Sequence, residues 1–191
     1  MGAKRIFLAC EISEDVRSEI EHIEKHFAEL KFALRFTSRE KLHITLAFLP
    51  RVGLEKLPQI SAVTKKICSQ FSPISANLVN LAAFPNLKLP RIIYINLAGE
   101  TVTLSNLARK IQHGIEVLGF QFDHQRFLPH ITIARTKSYV NNVERRRLGE
   151  TIQRWGKINQ LKFSVNSISI LESVPTSAGH VHVLLEKINL G

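Results

Sequence analysis

The chain of 191 residues has two cysteines, one tryptophan, one methionine and little glycine. Cys10 and Cys68 lie far apart and form no CxxC pair. That excludes a disulfide framework or a cysteine metal site, and it makes a reducing cytoplasm the expected compartment. The only apolar run near the N-terminus, Ile6 to Cys10, ends at once in acidic residues. It is too short for a signal peptide or a membrane span, so no membrane partner is expected. Gly2 lacks the Ser or Thr at position six that myristoylation wants, because Ile6 stands there. No glycine-rich phosphate loop follows the first strand pattern, and no segment is of low complexity.

What is present is a basic, ordinary globular composition. Hydrophobic residues make up 45% and charged residues 22%. The balance of 26 basic to 16 acidic residues gives a formal net charge of +10, which favours an anionic partner, nucleic acid first. A merely soluble basic protein would share that charge, so motifs have to decide.

The decisive motif occurs twice, as His43-Ile44-Thr45-Leu46-Ala47-Phe48 and His130-Ile131-Thr132-Ile133-Ala134-Arg135. Strands alternate faces with period two, so each His shares a face with its Thr while Ile44, Leu46, Ile131 and Ile133 point into a core. One such His-x-Thr is usually just a polar pair on the wet face of a strand. Two copies in register are harder to dismiss.

The repeat extends around them. Ile6 to Glu11 and Arg91 to Leu97 read as strands, each followed by a helix. The first helix carries Val16, Ile20, Ile23, Phe27 and Leu30 with Ser13 as N-cap. The second carries Leu104, Leu107, Ile111, Ile115 and Leu118 with Gly119 as its stop. Further helices are predicted near 55–71 and 143–155, and closing strands near 74–82 and 161–171. The offset stays at 86 to 88 residues throughout (6 to 92, 43 to 130, 74 to 162). The reading is α+β: one bilobal domain over 1–191, two pseudo-symmetric lobes from a duplicated β-α-β-α-β unit, with mainly antiparallel sheets lining a central cleft and helices outside. Repeat 1 covers about 4–83 and repeat 2 about 91–171, and an extra strand follows at about 180–188. A doubly wound parallel sheet fits less well, because the His strands alternate polar with apolar.

Two opposed histidines suit acid–base catalysis near neutral pH, one ring taking a proton from water and the other giving one to a leaving oxygen. The threonine hydroxyls and Arg135 can hold charge on a phosphoryl group. No metal or other cofactor is required. Spacing alone does not say which His is acid and which is base. Arg135 and Phe48 pose a parity problem, since each lies five residues after its His and falls on the opposite face of an ideal strand. A bulge or a strand end would be needed to turn either into the cleft.

These strings, with Phe127-Leu128-Pro129 before the second, closely resemble the signature of the 2H phosphoesterase superfamily. Within it the chain resembles the RNA 2′,3′-cyclic phosphodiesterase, or 2′-5′ RNA ligase, family over nearly its whole length. Ala83-Phe84-Pro85, Arg91-Ile92-Ile93-Tyr94 and Leu171-Glu172-Ser173 followed by Gly179 add weaker matches. The resemblance implies metal-independent hydrolysis of RNA 2′,3′-cyclic phosphate ends, or cyclic nucleotides, to 2′-phosphates, with possible reversible 2′-5′ RNA ligation. His43 is then the proton donor and His130 the acceptor, Thr45, Thr132 and Arg135 bind phosphate, and the protein is expected to be a monomer. The duplication adds a further reading: Phe48 corresponds to Arg135, and its ring could stack a base and orient the ribose. Three departures bear on the substrate pocket: Pro50 where Gly is usual, Gly179-His180-Val181-His182 where Tyr is common, and Leu128 rather than Arg before Pro129-His130, with Arg126 further back.

A non-catalytic basic RNA-binding module is the alternative. Other polar groups rate lower. His180 and His182 share a strand face but lack a third ligand, so surface or structural roles are expected. Asp123-His124 carries little weight, and His22 and His26 read as solvated. Arg145, Arg146, Arg147 and Arg154 are either a solvated face or an RNA track, and Phe84 is either core or a base platform.

Overall fold

In a computed structural model, residues 2–122, 127–155, 158–177 and 179–191 are described. Arg126, Asp123 and His124 lie outside the described residues. In chain order the elements are β1 (Lys4–Glu11), α1 (Glu14–Glu29), β2 (Leu34–Phe36), β3 (His43–Val52), α2 (Leu57–Cys68), β4 (Ile74–Phe84), β5 (Ile92–Gly99), α3 (Thr101–Glu116), β6 (His130–Thr136), α4 (Asn142–Arg154), β7 (Lys162–Val165), β8 (Ser167–Thr176) and β9 (Gly179–Asn189). The fold is α+β, and all strand pairs in its two sheets are antiparallel.

The helices form where the apolar spacing and the caps agree. Ser13 caps α1 by accepting from the Val16 amide, and Val16, Ile20, Ile23 and Phe27 are its buried stripe. Leu104, Leu107, Ile111 and Ile115 are buried on α3. Gly119 follows with a φ of 94°, and its amide donates to the Glu116 carbonyl. A left-handed residue there lets the chain leave the helix while its last carbonyls stay bonded. Asn141 and Glu144 make a reciprocal capping box on α4.

One sheet runs β3-β1-β8-β9 and the other β2-β6-β5-β4-β7. Each therefore draws strands from both halves of the chain: β4 of the first half pairs with β5, and β8 of the second pairs with β1. The closing strand expected near 161–171 is in fact two. Its first part, β7, stays on β4, and after Asn166 the chain crosses to lie along β1 as β8. Asn166 holds the crossover, its side chain accepting from Ser164 and its carbonyl from the Leu190 amide. The three-residue β2 has no counterpart among the expected strands, being too short to show a period.

The cores of both halves merge into one cluster that includes Ile44, Leu46, Ile131 and Ile133, each with no more than 1% of its surface exposed. The loop between the halves is pinned against α4. Arg145 donates to the Pro90 carbonyl at 2.8 Å, and a Cβ on Gly149 would lie 1.7 Å from the Leu87 carbonyl oxygen. Only glycine permits that approach. Among the described residues no helix is long and apolar enough to cross a membrane.

Candidate active site

β3 and β6 pack beside each other, and their polar faces open into a cleft of ≈ 450 Å³. His43, Thr45, His130, Thr132 and Arg135 all line it, together with residues of β1, β2, β8 and β9. No Asp or Glu lines it among the described residues, whereas Arg5, Arg35, Lys41 and Arg135 do, so the lining is cationic.

The bulge that Arg135 required is present. Along β6, Thr132 faces Tyr94 but Ala134 faces Ile93, which leaves Ile133 without an opposite residue. The extra residue shifts the alternation by one, so Ile133 and Ala134 are both buried and Arg135 returns to the face of His130 and Thr132. β3 repeats the device. Thr45 faces Ala9, Ala47 faces Leu8, and Leu46 is the extra residue. Phe48 consequently comes out on the polar side. It is 43% exposed, with the guanidinium of the cleft-lining Arg5 at 5.5 Å from its ring centre. Phe48 is thus not buried.

The two histidines are held alike. His43 Nδ1 lies 2.6 Å from the Lys41 carbonyl oxygen, and His130 Nδ1 lies 2.7 Å from that of Leu128. A carbonyl only accepts, so each Nδ1 carries a proton and each Nε2 is the ring nitrogen left for chemistry in the cleft. The carbonyl stands two residues before the histidine in both halves. His43 Nε2 also lies 2.9 Å from the Thr45 hydroxyl. Behind each ring stands an aromatic from the neighbouring strand: Phe7 against His43 at 5.1 Å, and Tyr94 against His130 at 5.2 Å.

The surroundings then diverge. His43 is flanked by His182 at 5.6 Å, which itself packs on Phe7 at 4.7 Å. Burial pushes His43 down to about 4 against a lesser upward pull from the Lys41 carbonyl, and the nearby His182, His130 and Arg17 add to the depression. His182 is also lowered, by burial first and then by Lys41 and His180. Around His130 the wall is Phe84 stacked on Tyr94 at 4.4 Å, with Phe84 edge-on to the imidazole at 5.6 Å.

Several residues rated low in sequence belong to this cleft. His180 and His182 both line it, and His180 Nδ1 meets the Ser173 hydroxyl at 3.1 Å. Their i,i+2 spacing on β9 was the available signal, but nothing in sequence showed that a side chain of β9, with two strands between it and β3 in the sheet, reaches the first histidine. Among the described residues no group of three His, Cys, Asp or Glu is arranged to hold a metal. Arg5, Arg35 and Lys41 also line the cleft and carried no motif. The arginines of α4 do not line it. Arg145 braces the inter-half loop, Arg147 lies over Phe32, and Arg154 pairs with Glu150. His22 and His26 are exposed, His26 resting on Trp155 at 4.3 Å.

Comparison with known proteins bears on the family and the fold. Residues 12–174 match the model of the 2′-5′ RNA ligase superfamily. The chain is 26% identical over its whole length to an RNA 2′,3′-cyclic phosphodiesterase of Aquifex aeolicus, covering 100% of both chains. It is 28% identical to one of Methanocaldococcus jannaschii, covering 96% of this chain and 99% of the other. The crystal structure of TT0787 of Thermus thermophilus superposes with a TM-score of 0.81 at 25% identity, covering 97% of each chain. That of apo LigT of E. coli gives 0.76 at 20% identity over 100% of this chain and 99% of that one, which speaks for the fold. With its doubled His-x-Thr strands, its cleft and this match over most of its length, the chain belongs to the 2′-5′ RNA ligase superfamily.

Proposed function

We propose that this protein hydrolyses RNA 2′,3′-cyclic phosphate ends to 2′-phosphates with the two imidazoles as acid and base. The observation that carries the reading is the matched pair: two Nε2 atoms, each aimed by a carbonyl two residues back, in a cleft lined by cations and by no carboxylate among the described residues. The cyclic phosphate sits between the rings. Water attacks phosphorus and gives a proton to one Nε2, the P–O3′ bond breaks, and the 3′ oxygen takes a proton from the other Nε2. Thr45, Thr132 and Arg135 hold the non-bridging oxygens as charge grows on them. His43 as donor and His130 as acceptor follow the family resemblance. For His43 that role requires the substrate itself, because a ring pushed down to about 4 is neutral at pH 7 until an anion beside it favours the proton. Phe48 offers its exposed ring to the terminal base. Replacing water by a 5′-hydroxyl would join two RNA ends through a 2′-5′ linkage with the same groups.

The test is incubation with 2′,3′-cyclic nucleotides and short cyclic-ended RNAs in EDTA, with products identified by phosphorus NMR. Turnover to 2′-phosphate is expected, and His43→Ala and His130→Ala should each lower kcat by roughly 10²–10⁴-fold while binding persists. Binding without turnover in the wild type would mean an RNA-binding module. A requirement for a divalent ion would exclude the two-histidine mechanism.

A further inference from the structure

β2 is three residues long, and its middle residue, Arg35, stands directly opposite Arg135 of β6. Opposite residues leave a sheet on the same face with Cβ atoms about 4.5–5.5 Å apart, and like charges so placed oppose pairing. Both arginines line the cleft. Arg135 is held below the ordinary arginine value by burial and then by Arg35.

Several arginines elsewhere in the chain have partners. Arg39 pairs with Glu14 and Glu21, and Arg145 is bound to the Pro90 carbonyl and the Thr136 hydroxyl. Among the described residues, Arg35 and Arg135 have no hydrogen-bonded or ion-paired partner. A short strand that sets two unpaired cations face to face is costly unless an anion fills the gap.

Position says which anion. The reactive phosphate belongs between His43 and His130. Across the bulge, Arg135 is the next residue after Thr132 on that face, about 7 Å along the strand, and Arg35 is one strand spacing of about 4.8 Å further out. Two guanidinium forks exceed what the equatorial oxygens of one phosphate need when two threonines already serve them. They fit a second phosphate beside the first.

We propose that Arg35, with Arg135, forms a subsite for the internucleotide phosphate on the 5′ side of the cyclic end, so that the cleft selects RNA ends over cyclic mononucleotides. This rests on the phosphodiesterase reading above. In it, Arg135 bridges the two phosphates and Arg35 touches only the second.

The experiment compares wild type and Arg35→Gln on 2′,3′-cyclic AMP and on a diadenosine ending in a 2′,3′-cyclic phosphate. Wild type should prefer the dinucleotide. The variant should lose about 10- to 100-fold in kcat/KM on the dinucleotide, the scale of one charge-assisted contact, through KM. It should stay within about twofold on the mononucleotide, and the salt slope for the dinucleotide should fall by about one. Arg35→Lys should recover part of the loss. The variant should melt no lower than wild type, since a repulsion is removed. Equal loss on both substrates, no loss on either, or a lowered Tm would each overturn the subsite while leaving the enzymatic reading intact. Should wild type turn over neither substrate, the enzymatic reading falls, and calorimetric titration with 2′-AMP and with a 2′-phosphate-ended diadenosine decides the subsite. Tighter dinucleotide binding that Arg35→Gln abolishes supports it, and equal binding of both ligands refutes it.

Discussion

Gln112 of α3 should control how well the cleft grips a base, although it touches nothing in it. Its side-chain amide donates at 2.7 Å to the carbonyl of Leu46, the bulged residue of β3. β3 is the edge strand of its sheet, so no neighbouring strand offers that carbonyl a donor. At the corresponding place in the other half, the Ile133 carbonyl is taken at 2.7 Å by the Thr37 amide just beyond β2. Gln112→Met keeps the bulk and removes the donor. A carbonyl left without its partner costs about 1–3 kcal/mol, and the half-buried position of Gln112 puts the loss at the lower end, about 1–2 kcal/mol. For a chain of this size that is a fall in Tm of about 2–8 °C. The bulge also turns Phe48 onto the polar face, so a loosened bulge should raise KM for a cyclic nucleotide and leave kcat nearly unchanged. Calorimetry and steady-state kinetics on Gln112→Met, Phe48→Ala and the double variant test this together. The KM effects should be less than additive by at least about 0.5 kcal/mol, since both act through one contact. Wild-type melting, or additive KM effects, would refute the reasoning.

On the base-stacking role proposed for its ring, Phe48→Ala alone should raise KM and allow some 3′-phosphate product; phosphorus NMR of an unchanged product mixture would place the orienting contact elsewhere. His43 is pushed from 6.5 to about 4, so the fold favours its neutral form. Its contribution is complete above about pH 6.5 and is lost as pH falls toward 4, up to about 3 kcal/mol, and His43→Asn should flatten the fall in Tm between pH 7 and 4.5. Glu24, with a buried Oε1 that has no hydrogen-bond partner among the described residues, is pushed up to about 7 by burial and then by Glu21. Its penalty grows as pH rises from 4.5 through 7, so Glu24→Gln should stabilise at pH 8 by about 1 kcal/mol, allowing for its partial exposure, and do little at pH 4.

The parts of this fold that were legible in sequence are those whose signal is local and periodic. Val16 to Phe27 and Leu104 to Ile115 mark their helices, and Ile44, Leu46, Ile131 and Ile133 mark their core faces. A bulge could be required from the position of Arg135 but not located, because Leu46-Ala47 and Ile133-Ala134 look like any apolar dipeptide. Partnership between distant segments left no local trace. Nothing around Leu34–Phe36 announces a strand, yet its pairing brings Arg35 to the cleft. The run near 161–171 reads as one strand because Asn166 breaks the chain's direction without breaking its β composition. His180 and His182 were visible as a pair. Their use depends on β8 crossing to β1, which carries β9 to the side of His43.

That crossing also explains how a duplicated motif can run unsymmetrical chemistry. The two His-x-Thr strands share the carbonyl behind Nδ1, the bulge and the aromatic on the neighbouring strand, and each of these arises within a repeat or from its symmetric partner. What lies outside the repeat differs. β9 has no counterpart in the first half of the chain, and it sets His182 against His43. His130 instead faces Phe84 and Tyr94, which bring no charge. Two imidazoles with the same covalent chemistry are thereby given different surroundings, and those of His43 press its ring toward the neutral form, a bias that a bound phosphate has to reverse before that ring can donate a proton. The asymmetry is supplied at the edges of the two sheets, through β9 on one side and β2 on the other, while the motif strands stay alike. Substitutions on those edge strands should therefore redirect specificity and proton distribution, whereas loss of either motif histidine should lower kcat by roughly 10²–10⁴-fold.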